Sequence, residues 1–186
     1  MPFQSTDIPG LFIFEPKVFK DSRGHFFESY NENVFKEEGI NTRFVQDNQS
    51  SSVYGVIRGL HYQLFPHAQS KLVRVLKGKI LDVVVDIRKG SPCFGKPFCI
   101  ELSGKNKKQL FIPAGFAHGF SILSKRAEVL YKSDDFYNKE SEAGIIYNDP
   151  LLGIDWQILP GEEIISEKDK RLPDIEHCRN SFLFEG

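Results

Sequence analysis

The chain has 186 residues, enough for one domain around a single buried core. Its 24 basic and 25 acidic residues are interspersed and nearly cancel, so no basic field of the kind that binds nucleic acid is expected. No apolar run approaches the ~20 residues of a membrane-spanning helix, so no membrane partner is expected either.

Seventeen Phe against one Met and one Trp favour pleated, half-buried surfaces. In chain order, strands are predicted at LFIFEPKVF (11–19) and GHFFESY (24–30), followed by a short helix over 31–38. The next stretch, FVQDNQSSSVYGVIRGLHYQ (44–63), reads as a polar strand pair with its three serines in a loop. KLVRVLKGKILDVVVDIR (71–88) has two β-rich runs flanking Lys77-Gly78, which predicts a hairpin. Four more strands are predicted at FCIEL (98–102), KQLFIP (108–113), HGFSIL (118–123) and EVLYKS (128–133). A second brief helix is predicted over 166–171, with Ser166 as cap and Asp169 at its third position. No internal repeat or linker interrupts the chain. Residues 1–186 are therefore expected to form a single, mostly β domain, a double-stranded β-helix (cupin or jelly-roll barrel) with a few short helices. The first residues, MPFQSTDIPG, lack the order of a secretion signal, and Cys93, Cys99 and Cys178 are an odd set with no CxxC. A cytoplasmic protein with reduced thiols is expected.

Two segments carry residues suited to chemistry. Arg58 and His61 lie in a predicted strand, where an inward-facing charged residue needs a partner or a ligand. Pro113-Ala-Gly115-Phe-Ala-His118 has the spacing of the second cupin motif, which sets a histidine at the barrel mouth. The first cupin motif normally supplies two histidines one residue apart and then a glutamate. Here His61-Tyr62-Gln63 stands in its place, Pro66, His67 and Ala68 occupy the region of the glutamate, and Lys71 follows. Two expected ligands are missing, and Lys71 would repel a bound cation, so no metal is expected. Without a metal, a neutral histidine suits a general base, and a nearby lysine or histidine suits an oxyanion. That pairing fits removal of a proton α to a carbonyl. Strand alternation puts Lys71 on the face of Val73 and Val75, either as a site cation or as a solvated strand end.

Six blocks carry a family resemblance: DSRGHFFESY (21–30), the 44–63 stretch, QSKLVRVLKGKILDVVVDIRKGSP (69–92), FIPAGFAHGF (111–120), AEVLYKSDDFY (127–137) and SEKDKRLP (166–173). Together, in this order, they resemble the dTDP-4-dehydrorhamnose 3,5-epimerase family of cofactor-free, homodimeric cupins, which exchange N-terminal strands between subunits. The resemblance implies that His61 is the base, Asp169 its orienting carboxylate, Tyr131 the acid on the other face of the sugar, and Lys71 the enolate stabiliser. It further implies substrate contacts at Arg23, Glu28, Gln46, Asp47, Asn48, Arg58, Lys71, His118, Glu142 and Lys168. The implied reaction turns dTDP-4-dehydro-6-deoxy-D-glucose into dTDP-4-dehydro-L-rhamnose, for the dTDP-L-rhamnose of cell-surface polysaccharides. A relative inverting only C3 or C5 shares these motifs. By their residue types alone Glu28 and Asp47 are open to a second role as surface charges, and Asp169 as a helix cap. Tyr137 rivals Tyr131 as the acid.

Overall fold

In the computed structural model, which describes residues 2–185, thirteen strands dominate the chain. They are β1 (Phe3–Ser5), β2 (Phe12–Phe14), β3 (Phe19–Asp21), β4 (Gly24–Phe26), β5 (Gln46–Val53), β6 (Ile57–Gln63) and β7 (Lys71–Lys77). There follow β8 (Lys79–Asp86), β9 (Pro97–Ser103), β10 (Gln109–Ile112), β11 (Phe116–Ile122), β12 (Arg126–Ser133) and β13 (Glu142–Gly144). One helix, α1 (Glu32–Glu37), and a 3-10 turn at Asp169–Arg171 complete the described elements.

Two antiparallel sheets face each other, one in the order β1-β2-β10-β7-β12-β5 and the other β13-β6-β11-β8-β9. From β5 to β8 and again from β10 to β13, each successive strand enters the opposite sheet, the winding of a double-stranded β-helix. Alternation along the strands turns Val73, Val75 and Val129 of one sheet towards Ile80, Val84 and Phe120 of the other. The outer face of the five-stranded sheet is buried as well, with Leu81, Val83 and Val85 under Ile145, Leu152, Trp156 and Phe182. Burial on both faces is why β8 reads as a nearly continuous apolar run. Outside the six-stranded sheet, α1 begins at Asn31, whose side chain accepts the Asn33 N–H at 3.0 Å. It drives Phe35 into a cluster with Phe14, Leu72 and Phe111.

Two expectations change. The runs flanking Lys77-Gly78 do not pair as a hairpin: β7 bonds to β10 and β12, and β8 to β9 and β11. Gly78, at φ 81°, carries the chain from one sheet to the other, and a Cβ there would lie 2.2 Å from the Arg126 carbonyl oxygen. The serines of 50–52 are likewise not a loop but the second half of β5. Among the described residues the ribbon β3–β4 pairs only with itself, and all residues of its two strands are exposed.

Candidate active site

A cavity of about 620 Å³ opens between the two sheets. On the five-stranded side β6 and β11 run together with His61 opposite His118, and the register then slips by a bulge between His118 and Phe120. Gly59 makes this approach possible: at φ 124° its added Cβ would lie 2.5 Å from the Gly119 Cα. The Gly59 N–H turns instead to Asp169 Oδ2, at 3.3 Å.

Asp169 Oδ1 lies 2.8 Å from His61 Nε2. The Asp169 backbone N–H is held by Ser166 Oγ at 3.1 Å, but the predicted helix over 166–171 shrinks to one 3-10 turn, Asp169–Arg171, whose N-cap is Lys168 and not Ser166. Burial acts to raise the Asp169 pKa, but the hydrogen bond and charge of His61, with the Gly59 amide and Ser166, outweigh it and hold the carboxyl below its ordinary value. An ionised carboxylate only accepts, so His61 Nε2 bears the hydrogen, and in the neutral imidazole Nδ1 is the nitrogen with the lone pair. A second pair lies beside the first, with His118 Nε2 2.8 Å from Asp82 Oδ1 and both side chains buried.

The facing wall comes from the six-stranded sheet. Lys71 on β7 and Tyr131 on β12 both line the cavity, with Lys71 Nζ 5.9 Å from the centre of the Tyr131 ring. Lys71 is therefore not a solvated strand end. Burial pushes its pKa down to about 8, against the opposing pull of the negative charges on Asp82 and Glu142. Burial also raises the Tyr131 phenol, with Glu142 adding to the effect and Arg58 opposing it. Gln46, Asn48 and Ser50 of β5 continue this wall, and Ser52 Oγ accepts from Arg58 Nε and Nη2 at 3.2 and 3.1 Å. The serine run thus has a place in the site that its composition did not reveal.

At the rim, Glu142 Oε2 accepts from the Tyr137 hydroxyl at 3.0 Å and pairs with Lys168 Nζ at 2.5 Å. Burial raises the Glu142 pKa, yet Lys168 and Tyr137 together bring it below its ordinary value. Gln46 Oε1 accepts the Tyr137 N–H at 3.1 Å. Gln63, where a cupin ligand would fall, donates to the His67 and Phe136 carbonyls and accepts from the Asn138 N–H at 2.7 Å. It ties two loops together. Among the described residues no three His, Cys, Asp or Glu side chains converge as a metal-ligand set.

The cavity thus gathers His61, Asp169, Lys71, Tyr131, His118, Arg58, Gln46, Asn48, Glu142 and Lys168. Asp47 is not among them. Alternation along β5 turns it outward, where Lys132 Nζ binds it at 2.9 Å. Arg23 sits on the exposed β3–β4 turn, paired with Asp21 at 2.6 Å, and Glu28 lines a different cleft with Phe19 and Phe26. Asp82 was missed by sequence reasoning; its one signal was an acid between apolar residues on the inward face of β8.

A cupin barrel with a carboxylate-paired histidine facing a half-buried tyrosine and a lysine across one cavity has the parts of a proton-transferring isomerase. Comparison with known proteins narrows that class. The model of the dTDP-4-dehydrorhamnose 3,5-epimerases matches residues 5–177, and the chain belongs to that family. A Shigella flexneri dTDP-4-dehydrorhamnose 3,5-epimerase is 54% identical over 165 residues, 88% of this chain and 90% of its own. The crystal structure of the Elizabethkingia anophelis dTDP-4-dehydrorhamnose 3,5-epimerase superposes with a TM-score of 0.90 at 51% identity, covering 94% of this chain and 96% of that one. A Legionella pneumophila dTDP-6-deoxy-D-glucose-3,5-epimerase, solved with dTDP-4-keto-L-rhamnose, gives 0.90 at 48% identity, covering 94% and 93%.

Proposed function

We propose that the chain inverts C3 and C5 of dTDP-4-dehydro-6-deoxy-D-glucose to give dTDP-4-dehydro-L-rhamnose. One observation carries this: His61 and Tyr131 stand on facing sheets across a single cavity. A ketone at C4 makes the hydrogens on both C3 and C5 acidic. His61 Nδ1 takes one of them, the C–H electron pair moves onto the C4 oxygen, and Lys71 faces the enolate as a cation. The Tyr131 hydroxyl then protonates the carbon from the other side. The phenolate regains a proton from solvent and His61 releases one, so nothing is consumed. Tyr131 is favoured over Tyr137 as donor, because the Tyr137 hydroxyl is engaged by Glu142 at the rim.

Gln46 and Asn48 are assigned to the nucleotide and diphosphate, Arg58 and His118 to the sugar pocket, Glu142 and Lys168 to further substrate contacts, and Asp169 to holding the base. Arg23 and Glu28 contribute only if their ribbon reaches the cavity of a second copy. The exposed Phe19 (53%) and Phe26 (71%) favour such an arm, so a homodimer is part of the proposal. The enzyme is further proposed to be a single-domain, cytoplasmic protein without a cofactor. Incubation with the substrate in heavy water tests the reaction: deuterium at both C3 and C5 of inverted product is expected. Label at one carbon only would make the protein a single-site epimerase.

A further inference from the structure

The loop that joins β12 to β13, residues 134–141, runs from the strand of Tyr131 to that of Glu142, and Phe136 and Tyr137 on it are exposed. Even so, four consecutive residues of this loop each give a main-chain group to a glutamine side chain. Gln69 Nε2 donates to the Asp135 carbonyl at 2.7 Å, and Gln63 Nε2 to the Phe136 carbonyl at 3.2 Å. The Tyr137 N–H donates to Gln46 Oε1 at 3.1 Å, and the Asn138 N–H to Gln63 Oε1 at 2.7 Å. All three glutamines line the cavity, and Gln63 is only 4% exposed. An exposed loop can leave such groups to water, so amides turned onto it from the cavity wall point to a segment held in place for the site. An amide matches the peptide group donor for acceptor and carries no charge. The loop is thereby fixed without a further charge among His61, Asp169 and Lys71.

We infer that Gln63 and Gln69 are positioning residues, which together with Gln46 hold residues 135–138 as a fixed cap and set the Tyr137 ring at the cavity mouth. The inference rests on the proposed epimerase reaction. Tyr137 lines the cavity, and its hydroxyl donates to Glu142 Oε2 at 3.0 Å, so the cap is also tied to β13 on the other sheet. Gln46 donates through Nε2 to Asn48 Oδ1 at 3.1 Å, which joins the cap to the wall assigned to the nucleotide. Gln63, at the place of a cupin metal ligand, serves instead as a clasp on the loop. A mouth ordered before the sugar arrives spares binding the cost of ordering it, and that saving appears in KM.

The test uses the full chain, with KM and kcat for the substrate measured across pH. In Gln63→Glu the introduced carboxyl can donate to a loop carbonyl only while protonated, and once ionised it repels those of both His67 and Phe136. KM should therefore lie near that of the unaltered chain at low pH. It should rise to ~10-fold above it, with a smaller change in kcat, as pH climbs through the titration of the carboxyl. Gln69→Glu, with a single carbonyl at stake, should show the same trend more weakly. It serves as the second variant if the buried carboxyl disturbs folding, judged by thermal melting. In a Tyr137→Ala background Gln63→Glu should have little further effect, because the ring that the cap presents is gone. A KM in fixed ratio to that of the unaltered chain at every pH, or losses that multiply fully with Tyr137→Ala, would mark the glutamines as ordinary loop ties and overturn the inference. An unaltered chain that exchanges no substrate hydrogen with solvent would instead overturn the epimerase proposal itself, and the part of the cap in it.

Discussion

At the scale of single residues, the chemistry divides by what each side chain is bonded to. With Nε2 committed to Asp169, His61 has only Nδ1 left for the proposed proton abstraction. His61→Ala should therefore reduce solvent exchange at C3 and C5 by ~10²–10⁴ while dTDP binding persists, as isothermal titration can show. Near-normal exchange in that variant would remove His61 from the base role. Lys71 supplies a pH signature. Its folded pKa of about 8 lies below the ordinary lysine value, so the cation is present below that point and lost as pH rises through it. The rate should accordingly fall on the alkaline side near pH 8, and a rate still flat well above that point would contradict the assignment. His61 and His118 were legible in the sequence because their types and spacing follow the cupin motifs, whereas strand alternation left Lys71 open between a site cation and a solvated strand end. Asp82 was not legible. An acid in an apolar run says nothing about its partner until β8 and β11 are placed side by side.

At the scale of elements, local pattern fixed conformation better than pairing. Lys77-Gly78 announced a turn correctly, but no local signal tells whether the chain doubles back in one sheet or crosses to the other. Hydrogen-bond partners are a long-range choice, set here by the need of Val73 and Ile80 to face a shared core. Alternation along β5 could have been applied more strictly: Gln46 and Asn48 face the cavity, and Asp47 between them cannot. Asn48→Ala is expected to raise KM several-fold, whereas Asp47→Ala should leave it within about twofold, since Asp47 faces away from the cavity towards Lys132. Equal effects from both would show that β5 sits differently when substrate binds. Gly59 permits the close approach of β6 and β11, and its positive φ disfavours any side chain. Gly59→Ala should destabilise the fold by ~2 kcal/mol or more in a denaturant melt, and disturb the Asp169 contact along with it. A melt unchanged from the parent would mean that the strands can separate without strain.

For the whole molecule, the barrel sets His61 and the Lys71–Tyr131 wall on different sheets, so a sugar bound between them would be reached from both sides under the proposed mechanism. Arg23 and Glu28, prominent in the sequence motifs, lie outside this cavity, Arg23 at the tip of the exposed β3–β4 ribbon and Glu28 just beyond it. Motif order along a chain cannot say which copy's site a residue serves. If the ribbon completes a second copy's site, sedimentation should show a dimer, and Arg23→Ala should raise KM far more than it lowers kcat. A monomer with full activity would dismiss the arm. The two-sided mechanism meets its most direct test in Tyr131→Phe, with solvent exchange and inversion measured on one sample in heavy water. The variant should go on exchanging substrate hydrogen through His61 while forming inverted sugar much more slowly. Normal inversion at both carbons in Tyr131→Phe, with loss in Tyr137→Phe, would contradict the assignment and make Tyr137 the donor; a joint collapse of exchange and inversion would contradict the division of labour between the two faces.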